Sequence, residues 1–134
     1  MRLLRVVNAQ RDSELGTHIA LADSWFARLR GMIGRPALEA GEGLLLSPCR
    51  SIHMYGMRSS LDVAFLDRDG RVVAIYPSLR PGARTRWHLG ALHALEVPDG
   101  TLRATGTVEG DLLVWSPADH SPGSEQFLRS EAAS

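Results

Sequence analysis

The stretch Leu61-Asp62-Val63-Ala64-Phe65-Leu66-Asp67-Arg68-Asp69-Gly70-Arg71-Val72-Val73-Ala74-Ile75-Tyr76 carries the clearest structural signal in the chain. Two runs of apolar, β-branched and aromatic residues flank one polar tetrad. Runs of this length and composition predict strands. Asp67-Arg68-Asp69-Gly70 predicts a tight turn, because glycine takes the positive φ that such turns need. The stretch is therefore a β-hairpin, and Pro77 stops its second strand.

The rest of the chain predicts more strands than helices. Leu3, Leu4, Val6 and Val7 predict a strand over 2–8. Thr17, Ile19 and Leu21 alternate with His18 and Ala20, predicting a second over 14–21. Gly43-Leu44-Leu45-Leu46 predicts a short strand apolar on both faces. Residues 91–97 and Leu112-Leu113-Val114-Trp115 predict two more. From Ser51 to Met57 the alternation puts His53, Tyr55 and Met57 on one side and Ile52 and Met54 on the other. Asp23 or Ser24 can cap a helix carrying Trp25, Leu29, Met32 and Ile33, which Gly34 and Pro36 end. A further short helical turn is expected over 101–105, and an irregular segment over 78–90.

The fold class expected is mainly β (α+β). About seven strands with one short helix would form a small barrel-like or sandwich domain, the helix covering one opening. The 134 residues fit one domain, which at this size buries roughly two-thirds of its unfolded surface without metal or disulfide. We expect a single β-rich domain over 1–116. The tail 117–134 is rich in proline, serine, glycine and acidic residues, and is expected to be flexible. There is no internal repeat.

Composition narrows the function. The chain holds 15 basic and 15 acidic residues, for a formal charge of zero. Every basic residue is arginine. Neutrality of the whole molecule argues against strong attraction to nucleic acid or anionic membrane. Cys49 is the lone cysteine, so no internal disulfide forms. No apolar run approaches the roughly 20 residues of a membrane span, and the start of the chain is too interrupted for a signal peptide. A cytoplasmic location is expected.

The ordered set Ala22-Asp23-Ser24, Arg28, Gly31-Met32-Ile33-Gly34-Arg35, Gly43-Leu44-Leu45-Leu46, His53-Met54-Tyr55-Gly56-Met57, Leu61–Asp67, Gly70-Arg71-Val72-Val73, Leu95–Gly100 and Gly110-Asp111 resembles the prokaryotic family catalogued as domain of unknown function 192. The likeness runs over about residues 15–115. It implies a compact, mostly β domain with a short helix, and no established reaction. The likeness implies that some relatives are exported and some are not; this chain looks like the unexported kind. The pattern His-x-x-Gly-Met at 53–57 resembles one subset of that family. Met54 stands where a small hydroxyl residue would be expected.

Four groups of residues could carry chemistry. Cys49, His53 and Met57 are soft or borderline ligands spaced four apart. In an extended segment that spacing is about 13 Å of travel, so core packing explains them as well, and no metal or cofactor is expected. Asp62 and Glu96 each interrupt an apolar strand. Either they pair as acid and base, or they are structural, bonded to Arg35, Arg58 or backbone amides. His53 is the best single candidate for a base, since histidine is the side chain suited to that work near pH 7, but no nucleophile motif accompanies it. Last, Arg80, Arg84 and Arg86 flank Trp87 in a loop reaching His88, which could hold an anion and stack a base. The catalytic set (candidates His53, Asp62 and Glu96) is incomplete. The function expected is therefore a small binding or accessory module, with a site formed by Arg35, His53, Met57, Asp62 and Glu96 and a small molecule or a protein as partner. The alternatives are a hydrolase or lyase using His53 with Asp62 or Glu96, and weak anion or nucleic-acid binding through Arg80–His88.

Overall fold

The computed structural model describes residues 3–22 and 37–118. The helix expected after Ser24, with Met32 and Arg35, and the tail beyond 118 lie outside the described residues. Within them the chain forms strands β1 (Leu3–Asn8), β2 (Ser13–Ala22), β3 (Glu42–Leu46), β4 (Leu61–Leu66), β5 (Val72–Leu79) and β6 (His93–Pro98). A short helix α1 (Thr101–Thr105) and strand β7 (Leu113–Pro117) follow.

All seven strands lie in one sheet, in the order β5-β4-β6-β3-β2-β1-β7. Neighbours run antiparallel except β2 and β3. The sheet curls until its edges meet at one end. There Arg71 bridges Leu112, the Val72 amide donates to the Asp111 carbonyl at 2.8 Å, and Leu113 donates to Gly70 at 2.9 Å. The barrel-like form expected from the sequence is thus correct, as a half-barrel curled from one sheet. The hairpin expected at 61–76 is β4–β5, closed by Gly70 at φ 95°.

Curling gives the sheet two faces to cover, and every residue of β4 is buried. The inner face holds Leu4, Val6, Ile19, Leu45, Ala64, Leu66, Leu95, Val97 and Leu113, plugged by Leu102 of α1. The outer face holds Leu44, Leu46, Leu61, Val63, Phe65 and Ala94, with Ile52 and Met54 laid over it. A fully buried side chain of this kind contributes roughly 1.5–3 kcal/mol. The two faces together supply the core that the sequence promised without metal or disulfide.

Strand spacing at the parallel pair depends on missing side chains. A Cβ at Gly43 would lie 2.6 Å from the Glu96 carbonyl and 2.6 Å from Cδ1 of Ile19, which also occupies the space over Gly16. Gly43→Ala is expected to destabilise the protein by about 1–3 kcal/mol through overpacking. Gly90→Ala, where nothing lies within 4 Å of the added carbon, should change nothing. Urea unfolding of the two variants checks both.

Candidate functional site

The outer face carries two antiparallel straps, residues 49–60 and 80–92. Cys49 donates to Leu92 and His88 to Arg50, each at 2.8 Å; Thr85 donates to Ile52 at 2.8 Å and Met54 to Ala83 at 2.7 Å. The Ile52 amide would be left over, but it donates to Thr85 Oγ1 at 3.0 Å, a side chain standing in for a backbone carbonyl. The expected alternation is visible in burial. Ile52 and Met54 point into the face, and His53 and Tyr55 point away. Gly56, at φ 79°, turns the chain, so Met57 swings back to pack half-buried on the outer cluster.

His88 seats the second strap. Phe65 pairs with Ala94 on one side and Ala74 on the other, so its ring is left uncovered by its cross-strand neighbours. The His88 ring lies against it at 4.6 Å, and His88 Nε2 shares a 2.7 Å hydrogen bond with the Tyr76 hydroxyl. Burial, then the Arg86 charge, hold the His88 pKa below its ordinary value against an opposing pull from Glu109. His88 is thus a structural anchor. Sequence alone gave no sign of this role, because Phe65, Tyr76 and His88 meet only through strand register.

Outside this anchor, the straps form an open groove of about 400 Å³ lined by Ser51, Ile52, His53, Arg84, Thr85 and Trp87. His53 and Arg84 are bridge partners across the straps. Trp87 is 62% exposed, standing off the surface instead of folding onto it. The structure therefore joins two groups that the sequence presents separately, the histidine of 53–57 and the arginine loop of 80–88. Arg80, Arg84 and Arg86 are all exposed.

The carboxylates are placed elsewhere. Pairing of Asp62 with Val97 and of Val63 with Glu96 puts Asp62 and Glu96 on opposite faces of the sheet. Asp62 Oδ1 accepts from the Ser78 amide at 2.9 Å; Oδ2 accepts from Gly100 at 3.1 Å and Leu102 at 2.8 Å. It is the backbone-amide partner among the expected alternatives. It also caps α1, whose own N-cap, Gly100, has no side chain to do so. Glu96 lies in the outer row Leu44–Glu96–Val63–Tyr76, flanked by apolar neighbours. Its Oε2 has no hydrogen-bond partner, and burial raises its pKa from 4.5 to about 7. No hydrogen bond joins His53 to either carboxylate among the described residues. Cys49 packs on the outer cluster with its thiol toward the Ser51 carbonyl at 3.2 Å. The described residues contain no group of three or more histidine, cysteine or acidic side chains arranged to hold a metal ion. No helix among them is long and apolar enough to cross a membrane.

These features define a small half-barrel domain with a strapped outer face. The family model of DUF192, described as "Uncharacterized ACR, COG1430", matches residues 6–115, and the chain belongs to that family. It is 30% identical over 123 residues to the UPF0127 protein TK1120 of Thermococcus kodakarensis, covering 85% of this chain and 74% of that one. A protein of unknown function from Novosphingobium aromaticivorans shares the fold with a TM-score of 0.72 at 22% identity, over 84% of this chain and 83% of the other. A Sinorhizobium meliloti protein, whose name assigns it provisionally to transcription regulation, does so with a TM-score of 0.70 at 23% identity, over 84% and 91%.

Proposed function

We propose that the protein is a binding module whose ligand surface is the strap groove, and that the ligand presents an anionic group beside a flat one. The observation that carries this reading is the meeting of Arg84 and His53 across the straps with the exposed ring of Trp87 in the same groove. A guanidinium is a planar fork for phosphate or carboxylate, and an exposed indole is a stacking platform. Acid–base catalysis would need a second group within hydrogen-bond reach of His53 or of the substrate. The two candidate carboxylates are engaged on the inner face and buried within the outer one. Their placement favours binding over the hydrolase or lyase alternative. Met57, of the site expected from the sequence, packs on the outer cluster and is not among the residues that line the groove.

ATP is a suitable probe, since it joins phosphates to a stacking ring. Titrated at low salt, it should shift the amide signals of His53, Arg84 and Thr85 and the indole signal of Trp87. Arg84→Ala should weaken binding about tenfold or more, the loss of one charge-assisted contact. Unmoved groove signals, or an affinity indifferent to Arg84, would remove the reading.

A further inference from the structure

We infer that the straps form a surface for single-stranded nucleic acid, with the groove as one station along it. This rests on the binding reading above and extends it from a single anionic group to a polymer. The chain is neutral as a whole, but its charge is not spread evenly. Residues 49–60 and 80–92 carry five of the fifteen arginines (Arg50, Arg58, Arg80, Arg84 and Arg86) and none of the fifteen carboxylates. The backbone hydrogen bonds from Cys49–Leu92 to Met54–Ala83 lay the two segments side by side. Basic stretches that flank the β4–β5 hairpin in sequence thereby become one continuous surface. Arg58, Arg80, Arg84 and Arg86 are exposed, Arg50 is half-exposed, and none of the five is ion-paired among the described residues. The carboxylates that act electrostatically on the neighbouring histidines, Glu109 on His88 and Asp67 on His93, lie outside both straps.

Charge alone would suit any polyanion. The aromatic residues select among them. Tyr55 is 78% exposed and Trp87 is 62% exposed, with His53 also exposed between the arginines. Large rings so exposed contribute little to the fold, while a ring between arginines offers a face to an unpaired base. The hydrogen-bonded run 49–54 spans about 16 Å at roughly 3.3 Å per residue, room for several bases stacked at about 3.4 Å each. A duplex hides its base faces and cannot use the rings. An acidic polypeptide supplies charge but nothing to stack.

Fluorescence anisotropy of a labelled oligothymidylate tests this, with ATP, a duplex of equal length and polyglutamate as the other arms. The oligomer should bind at least about tenfold more tightly than ATP, duplex or polyglutamate. Its log affinity should fall with log salt at about −0.7 for each phosphate neutralised, giving a slope of about −2 to −3 for three or four arginines. Trp87→Ala should cost about tenfold in affinity for the oligomer, and Arg84→Ala should lower the slope by about 0.7. Both side chains are exposed, so the variants should keep the wild-type circular dichroism and melting curve. Polyglutamate binding as tightly as the oligomer, or an oligomer affinity unmoved by Trp87→Ala, would overturn the inference. ATP binding that depends on Arg84, with the oligomer no tighter, overturns the polymer surface and leaves the binding module standing. If neither ATP nor the oligomer binds, both fall.

Discussion

Replacing Asp62 by alanine is expected to cost about 4 kcal/mol of folding stability. Its two oxygens take three backbone amides, from Ser78, Gly100 and Leu102. Hydrogen bonds to a charged acceptor contribute about 1.5–3 kcal/mol each. The sum is not additive, because the Ser78 and Gly100 amides belong to exposed residues and can turn to water. The Leu102 amide belongs to the first turn of α1 and its bond to Asp62 is buried, so its loss is felt in full. Asp62→Asn keeps one acceptor oxygen and should cost about half as much. Urea unfolding of the two variants against wild type measures this, and a loss under about 1 kcal/mol for the alanine variant would show that α1 does not depend on the cap. The folded fraction of either variant should bind ATP as wild type does, since Asp62 lies on the face away from the groove. A variant that folds normally but loses ligand would instead place Asp62 in the binding site.

Why the role of Asp62 was only half legible is a matter of range. Its position on an apolar strand is plain, and backbone amides at strand ends are among the partners such a carboxylate can take. The amides it takes lie 16, 38 and 40 residues along the chain. Those separations are set by a β-bulge in the β4–β5 ladder, where Ser78 sits at φ 52°, and by the docking of α1. A glycine N-cap in the sequence hints that a short helix must find its cap elsewhere. It does not say where.

The facing of each strand was legible, because period two needs only neighbours in sequence. Ile52 and Met54 turn inward and His53 and Tyr55 outward as the alternation requires. Register between strands was not legible. Asp62 and Glu96 look alike along the chain, as single carboxylates in apolar runs, yet pairing of Val63 with Glu96 sends them to opposite faces. The second strap was the least legible element. It reads as an irregular arginine loop because the residues it buries over 80–90, Thr85 and His88, are polar and three apart, so no apolar period of two marks a strand. The meeting of His53 and Arg84 follows from that ladder and could not precede it.

Glu96 should make the protein less stable as the solution becomes more alkaline, against the habit of most carboxylates. Burial raises its pKa from 4.5 to about 7 in the folded chain. Between those values the folded state binds a proton that the unfolded state has released. Stability therefore falls as pH rises, since its slope follows the protons bound unfolded minus those bound folded. The contribution is full below about pH 4.5, declines through the window, and is lost above about pH 7. At about 1.4 kcal/mol per unit of pKa, the span is about 3 kcal/mol. Asp111 works in the opposite sense at lower pH. Its hydrogen bond from Asn8, then those from Arg11 and the Val108 amide, hold its pKa down to about 2 against the cost of burial. That stability is present above its ordinary value of 3.8 and disappears as pH falls toward 2. The contributions of these two groups sum to a maximum near pH 4–5, while His88 and His93, whose pKa values burial lowers, pull the other way and lose stability as pH falls below 6.5. Glu96→Gln removes the charge without changing the shape of the row between Leu44 and Val63. His88 and His93 titrate alike in both proteins, so the urea midpoint of wild type should fall relative to that of this variant from pH 4.5 to 8, and the variant should be the more stable protein at pH 8 by up to about 3 kcal/mol. Parallel curves for the two proteins would mean that Glu96 meets water or a cation when it ionises, and that the apolar outer face does not confine it.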